Sequence, residues 1–442
     1  MAKDMTQGSL VKVLVKFSLP LLLSGLLQQL YNWSDAFMVG NVEGELSLAA
    51  IGSTIPISNL IIMMITGFSL GISILSGHLY GSGEHSELKK VLSSFTVVLS
   101  GVFLFVVVGG IIFMKPLLQL LQTPEDIFSI ANSYLWIILL GMPFLVVYNV
   151  YSTVLRGMGD SKTSFLAIVV SSVINVLLDI LFVVILHYGV IGAAVSTLIA
   201  QVLMAVFMVC YSTKKYPIMR FRIEKHCLDG SILRRGLSLS LPTAMQSSVH
   251  SVGNLLLQNL MNGFGTQTVA AITTAYRVDG VIMLPIINLG YGISTVVAQN
   301  TGAGNHQRAK RGVFVGMGII AAVAIILTAA VIPTGGALVS LFGVTDESAA
   351  IGRTFFNIIA PFYLVFGIAI AIRSFLEGVG DVLFTSIASI VALGIRIILT
   401  YTLAAPYGNS IIALAEGLSW GALLLMCFMR FVWKHRKSAS KG

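Results

Sequence analysis

LGISILSGHLYGSGEHSELKK, residues 70–90, returns 221 positions further on as YGISTVVAQNTGAGNHQRAKR, residues 291–311. Gly71, Ile72, Ser73, Gly81, Gly83, His85 and Lys89 align with Gly292, Ile293, Ser294, Gly302, Gly304, His306 and Lys310. The same offset lays Arg156-Gly157-Met158-Gly159-Asp160 over Glu377-Gly378-Val379-Gly380-Asp381. With one residue of slack, Ser18-Leu19-Pro20 meets Ser240-Leu241-Pro242. A unit repeated once over nearly the whole length marks two equivalent halves. In a membrane chain, such halves are expected to face each other across a substrate site.

Membrane residence follows from composition. Hydrophobic residues make up 56% of the 442 and charged residues only 10%, a balance that a soluble surface could not solvate. Apolar runs of ~20 residues or more, enough to cross ~30 Å of hydrocarbon, occur at twelve places: 11–39, 46–78, 89–113, 126–155, 162–186, 189–213, 234–262, 268–300, 310–333, 348–377, 383–403 and 408–433. They predict an all-α membrane protein with twelve transmembrane helices in two pseudo-symmetric six-helix lobes around a central cleft. The longest hydrophilic connection, residues 213–235, is where the repeat restarts. It separates an N-terminal lobe, 1–213, from a C-terminal lobe, 236–442, with 214–235 as the inter-lobe linker. Six is even, so both lobes run the same way and an axis along the membrane normal should relate them.

The basic residues set an orientation. With both termini inside, internal segments hold 22 of the 27 Lys and Arg, and only Lys115 and Arg353 lie outside. That bias places both termini in the cytoplasm and the chain in a plasma membrane. The net charge of +9 is thus a topology signal, and nucleic acid is excluded as a partner because no soluble basic face exists to bind it. No cleavable signal is evident at the N-terminus. Cys210, Cys227 and Cys427 all fall on the cytoplasmic side, so no structural disulfide is expected. The sequon Asn32-Trp33-Ser34 lies inside the first span and is discarded. Gly81-Ser82-Gly83 and Gly302-Ala303-Gly304 have neither a preceding strand nor a following Gly-Lys-Ser/Thr, so they read as turns rather than phosphate loops.

Ionisable groups inside spans are costly, by ~2.5–3.5 kcal/mol on insertion scales, so each needs a reason. Gln28, Asn32 and Asp35 share a face of span 1, Asn175 and Asp179 a face of span 5, and Thr197 and Gln201 a face of span 6. Counted from the span ends, Asp35, Asp179 and Thr197 reach similar depth in the outer half of one lobe. Two carboxylates, an amide and a hydroxyl offer hard oxygen ligands to a small cation, Na+ among them, or hold protons; a hydrogen-bonded packing network is the alternative.

These residues, with LQQLYNWSDAFMVG of span 1, both Gly-x-Gly turns and both Gly-x-Gly-Asp segments, resemble the multidrug and toxic compound extrusion (MATE) family of prokaryotic type over essentially the full length. The resemblance implies that Asp35 is the central coupling residue and that Asn175, Asp179 and Thr197 complete a cation-coupling site. It also implies that Pro20 is where the first helix bends. One branch of the family carries acidic residues in helices seven and ten; span 7 here has none, and span 10 has only Glu377 at its end.

The second half carries different charges. Arg396 falls where the first half has Asn175, Thr400 where it has Asp179, and Glu416 opposite Thr197. Arg396 and Glu416 are therefore expected to form a buried ion pair, with Asp279 and Arg277 as the alternative partners. Gln246, His250, Asn254 and Gln258 repeat at intervals of four along span 7, a polar stripe that faces protein or a water-filled cleft rather than lipid. With Gln28, Asn32, Met63 and Met64, they are candidates for the substrate cleft, methionine giving an adaptable wall.

The expectation is a secondary active multidrug efflux transporter. It would antiport lipophilic or cationic small molecules against H+ or Na+ by alternating access. It needs no cofactor beyond the coupling ion, has membrane lipid as its surroundings, and suffices as a monomer. A flippase of lipid or lipid-linked cargo is the alternative, and a channel or receptor a remoter one. No nucleophile–base constellation or extramembrane domain suggests an enzyme.

Overall fold

Hydrocarbon offers no hydrogen-bond partner to a peptide group, so each apolar run satisfies its own backbone by closing into a helix. In the computed structural model of the protein, residues 4–121, 123–220 and 228–439 are described, apart from the side chains of Asn32, Asp35, Ala36, Phe37, His435 and residues 437–439. The helices are α1 (Leu10–Glu43), α2 (Glu45–Gly81), α3 (His85–Ile112), α4 (Met114–Leu120), α5 (Glu125–Gly157), α6 (Ser161–Asp179), α7 (Gly189–Lys215) and α8 (Gly230–Asn262). They continue with α9 (Thr266–Ile282), α10 (Leu284–Gly302), α11 (His306–Ser340), α12 (Asp346–Ile359), α13 (Tyr363–Gly378), α14 (Val382–Tyr407) and α15 (Ile411–Ala439). No strand occurs among the described residues.

Among the described residues, nine stretches are long and apolar enough to cross a membrane, or ten with the bent pair α9–α10. One of the nine, Val382–Lys434, holds both α14 and α15, which double back at Gly408 (φ 58°). The twelve expected spans thus correspond to α1, α2, α3, α5, α6, α7, α8, α9–α10, α11, α12–α13, α14 and α15. Helix α8 is the one span too polar for that test, a direct result of its Gln, His, Asn and Ser content.

Three spans that read as single runs differ in how they treat proline. Pro20 lies inside an unbroken α1, where Ser24 Oγ donates to the Pro20 carbonyl at 2.8 Å. Pro285, in the first turn of α10, has no N–H to continue the ladder of α9, and the chain bends by 42° there. Pro361 sits in the 3₁₀ turn Ala360–Phe362 that separates α12 from α13.

The chain forms two compact units whose limits fall inside helices. One gathers Pro20–Ser240, the other Met5–Leu19 with Leu241–Gly442. The cuts lie at the repeated Ser-Leu-Pro rather than in the linker at 214–235, of which residues 221–227, Cys227 included, fall outside the described residues.

In the first unit, Leu75, Leu92, Phe95 and Tyr151 form part of a continuous buried core. The start of α8 is fastened to α3: the Asp229 N–H donates to Ser94 Oγ at 3.2 Å, and Lys90 pairs with Asp229 at 3.4 Å. Asp229 also accepts from the Ser231 hydroxyl and from the Ser231 and Ile232 amides, capping α8. Those hydrogen bonds, the Ser231 hydroxyl first, pull its carboxyl down to about 2. Gly71 admits the α8 backbone, since a methyl group there would overlap Ser240.

In the second unit, residues 5–8 are held by the α10–α11 turn. Met5 donates its amide to Gln299 at 3.0 Å, and Asn300 donates to the Met5 carbonyl at 3.2 Å. Arg308 donates to the Gln7 and Gly8 carbonyls at 2.8 Å. Here the partner of Gly292 is Ser18 of α1. The repeat therefore joins each Gly-Ile-Ser helix to the helix start that lies before a Ser-Leu-Pro. The turns at Gly83 (φ 78°) and Gly304 (φ 72°) need the left-handed conformation that glycine takes without penalty.

Candidate cation-coupling site

Helix α6 ends at Asp179, and the next six residues, Ile180–Ile185, wind as a π-helix, a widening often found beside functional groups. Asp179 and Asn175 are fully buried, as is Ser196, and Thr197 nearly so. Burial of a carboxyl demands polar partners. Ser196 supplies one through a hydroxyl contact to Asp179 Oδ1, and the same hydroxyl lies 2.9 Å from the Ala193 carbonyl. Ser196 thus has one proton for two acceptors. Asn175 Nδ2 stands 3.5 Å from Thr197 Oγ1, and Tyr31 of α1 donates to that oxygen at 3.3 Å. Three helices therefore meet at Thr197.

The side chains of Asp35 and Asn32 lie outside the described residues. The backbone of α1 carries position 35 one turn beyond Tyr31. The structure brings together Asn175, Thr197, Asp179 and two groups that the sequence reading passed over, Ser196 and Tyr31. Ser196 carries no periodic signal of its own, because adjacent residues on a helix point different ways and the Thr197–Gln201 spacing marks another face. Gln201 itself has a buried Oε1 with no hydrogen-bond partner, in a space left by Gly141. Among the described residues, no group of three or more His, Cys, Asp or Glu is placed to hold a metal ion.

The second unit holds a different network. Arg396 pairs with Glu416 at 2.9 Å and also donates to the Tyr276 hydroxyl at 2.7 Å. Asp279, the alternative partner for Arg396, instead accepts from Tyr363 at 2.6 Å, while Arg277 is exposed. Each partner of the 396–416 pair is more than four-fifths buried, so the attraction acts in low dielectric.

Along α8, Gln246 is buried and accepts from Arg373 at 3.3 Å, and Arg373 pairs with Glu377 at 2.6 Å. His250 has a buried Nε2 without a partner, Asn254 is exposed, and Gln258 donates to Asn262. The stripe is thus part network and part open surface. Gln28 and Met63 are exposed, whereas Met64 packs against the core of its unit.

Below the spans, the duplicated Gly-x-Gly-Asp segments anchor the last helix of each half. Asp160 binds Lys215 and the Tyr216 hydroxyl, each at 2.8 Å, and caps α6 through the Thr163 amide. Asp381 binds Arg430 at 2.8 Å and Lys434 at 3.1 Å. Burial raises both carboxyls, but cationic and hydrogen-bonding partners outweigh it and hold each below its ordinary value.

The sequence model of the MatE family matches residues 20–181 and 242–402. The chain is 30% identical to "Probable multidrug resistance protein YoeA" of Bacillus subtilis (strain 168), over 95% of this chain and 94% of that protein. It is 26% identical to the "FAD transporter" of Shewanella oneidensis, over 79% and 78%. Its fold superposes on a solved MATE structure in the bent conformation with a TM-score of 0.91, at 21% identity and 98% coverage of both chains. Twelve helical passes, the repeated segments and these likenesses lead to one assignment: the chain belongs to the MatE family of multidrug efflux transporters and is a multi-pass membrane protein.

Proposed function

We propose that this protein is a secondary active antiporter that expels lipophilic or cationic small molecules against an inward flow of H+ or Na+. The observation that carries the proposal is the buried Asp179, in contact with Ser196 and beside the Asn175–Thr197–Tyr31 junction. When Asp179 is ionised, Ser196 turns its proton to the carboxylate. When Asp179 is protonated, it donates to Ser196 Oγ, and the Ser196 proton turns to the Ala193 carbonyl. A sodium ion would instead draw on the oxygens of Asp179, Asn175 and Thr197. Asp35 is assigned as the second carboxyl of this site, with Tyr31 linking α1 to α7. Cation entry neutralises the site, repositions α1 and favours a state of low substrate affinity; coupling requires such a difference between states.

Both termini are assigned to the cytoplasm on the bias of the basic residues, in the inner membrane of a prokaryote, with a monomer as the working unit. The test is efflux from proteoliposomes under separate proton and sodium gradients. Wild-type protein should respond to one of them, and Asp35→Asn should insert and fold but lose gradient-driven efflux. Wild-type rates in that variant sink the assignment. A second substrate class, anionic nucleotide-like compounds, is favoured by the FAD transporter relative, and the same vesicles loaded with either class separate the two.

A further inference from the structure

Between α14 and α15 runs an apolar groove of about 410 Å³, lined by Phe384, Ile387 and Val391 on one helix and Met426, Met429 and Trp433 on the other. The helical repeat places each set on one face. Ile387, Val391, Met429 and Trp433 remain well exposed, so the groove opens outward to hydrocarbon. Its mouth lies where α14 begins and α15 ends. There the Arg430 guanidinium is held between two rings, 4.6 Å from the centre of Trp433 and 5.0 Å from that of Phe384. From the mouth to Val391 the groove follows about two turns of helix, ~10 Å, room for part of an acyl chain.

The mouth also carries an excess of charge, and the repeat supplies an internal comparison. Asp160 in the first half has one described cationic partner, Lys215, and fills its other positions with the hydroxyls of Tyr216 and Thr163. Asp381 in the second half has two, Arg430 and Lys434. Among the described residues, two cations face one carboxylate at this end of the groove, beside Trp433, a residue type enriched at membrane boundaries. A groove of similar size in the first unit, about 450 Å³ and lined by Leu140, Phe144, Leu198, Ile199, Val202 and Leu203, has no charged residue at all.

We propose that the α14–α15 groove is a binding site for an anionic phospholipid. Its phosphate is held by Arg430 and Lys434, and one acyl chain lies along Phe384, Ile387, Val391 and Met426. Arg430 is already aimed by Asp381, so little ordering is needed when the headgroup arrives, and the planar guanidinium suits a phosphate. The groove in the first unit, by contrast, accepts acyl chains without regard to headgroup.

Phosphatidylglycerol and phosphatidylcholine with the same chains are the probes, added to the full-length protein in detergent and counted as bound lipids by native mass spectrometry. Wild-type protein should prefer the anionic lipid by about fivefold or more, from a contribution of ~1 kcal/mol per basic residue at a membrane surface. Lys434→Gln should remove most of that preference and leave phosphatidylcholine binding unchanged, while Lys434→Arg keeps it. Arg436→Gln removes the same charge from an exposed position outside the groove and should retain the preference. Val391→Trp, which fills the groove at an exposed position, should lower binding of both lipids. Equal binding of the two lipids to wild-type protein overturns the proposal. So does an equal loss in Lys434→Gln and Arg436→Gln, which would mean diffuse attraction by the basic tail.

Discussion

Asn175, Asp179 and Thr197 in the first half stand where the repeat puts Arg396, Thr400 and Glu416 in the second. In the first half Asp179 is met by the Ser196 hydroxyl, while Asn175 turns its amide to Thr197. In the second the acid is met by a guanidinium at 2.9 Å. A carboxyl beside a rotatable hydroxyl is suited to the cation uptake and release proposed for Asp179. One locked to Arg396 is occupied already, and its role is to hold α14 to α15. The two halves carry their acids at different repeat positions, Asp179 opposite Thr400 and Glu416 opposite Thr197, and under the proposed function the first is the responsive side and the second the fixed one.

Breaking the responsive side should have the largest effect on transport. Asp179→Asn keeps the shape and the Ser196 contact but removes the charge, and gradient-driven efflux in proteoliposomes should fall by ~10²-fold, a loss of ~3 kcal/mol. Equal rates in variant and wild type would remove Asp179 from the coupling site. Breaking the fixed side should act on stability instead. Glu416→Gln leaves Arg396 charged and buried, at a cost of ~3–5 kcal/mol, read as a lower thermal midpoint in detergent. Replacing both residues, Arg396→Leu with Glu416→Leu, should recover most of that loss. A double variant no better than the sum of the singles would mean the two side chains act separately.

The paired anchors sharpen the comparison at smaller scale. Asp160→Asn and Asp381→Asn should each cost ~1–3 kcal/mol through lost charge-assisted hydrogen bonds. Both carboxyls are held below their ordinary value in the folded protein. Their contribution is therefore complete above the unfolded pKa of ~3.9 and is lost as pH falls through the lower folded value. Thermal midpoints measured from neutral pH down to ~3 should drop less steeply in either variant than in wild type. Smallest of all, Gly83→Ala and Gly304→Ala meet no neighbouring atom, so only the left-handed backbone is penalised, by ~1 kcal/mol at each turn. Unequal costs at the two would show that the repeated turns are not equivalent.

Much of this was legible in the residues. Apolar runs and glycine turns announce helices and their ends through local physics, and counting residues from span ends was enough to expect Arg396 beside Glu416. The same counting picked Asn175, Asp179 and Thr197, which the structure gathers in one place. It could not find Ser196, whose role depends on where the end of α6, widened by its π-turn, comes to rest against α7. Nor could it tell which proline interrupts its helix. Pro20 lies in a helix that continues across it, whereas Pro285 follows a break at Met283.

By itself the sequence determined that the chain is helical, membrane-embedded and duplicated, because hydrophobicity, backbone satisfaction and repetition are properties of the chain in order. Tertiary structure decided where the duplicated units are cut. The starts of α1 and α8 sort with residues far along the chain, Ser18 on Gly292 and Ser240 on Gly71. That choice rests on close packing, the absence of a single methyl group at two glycines, and no local pattern records which backbone will fill the space.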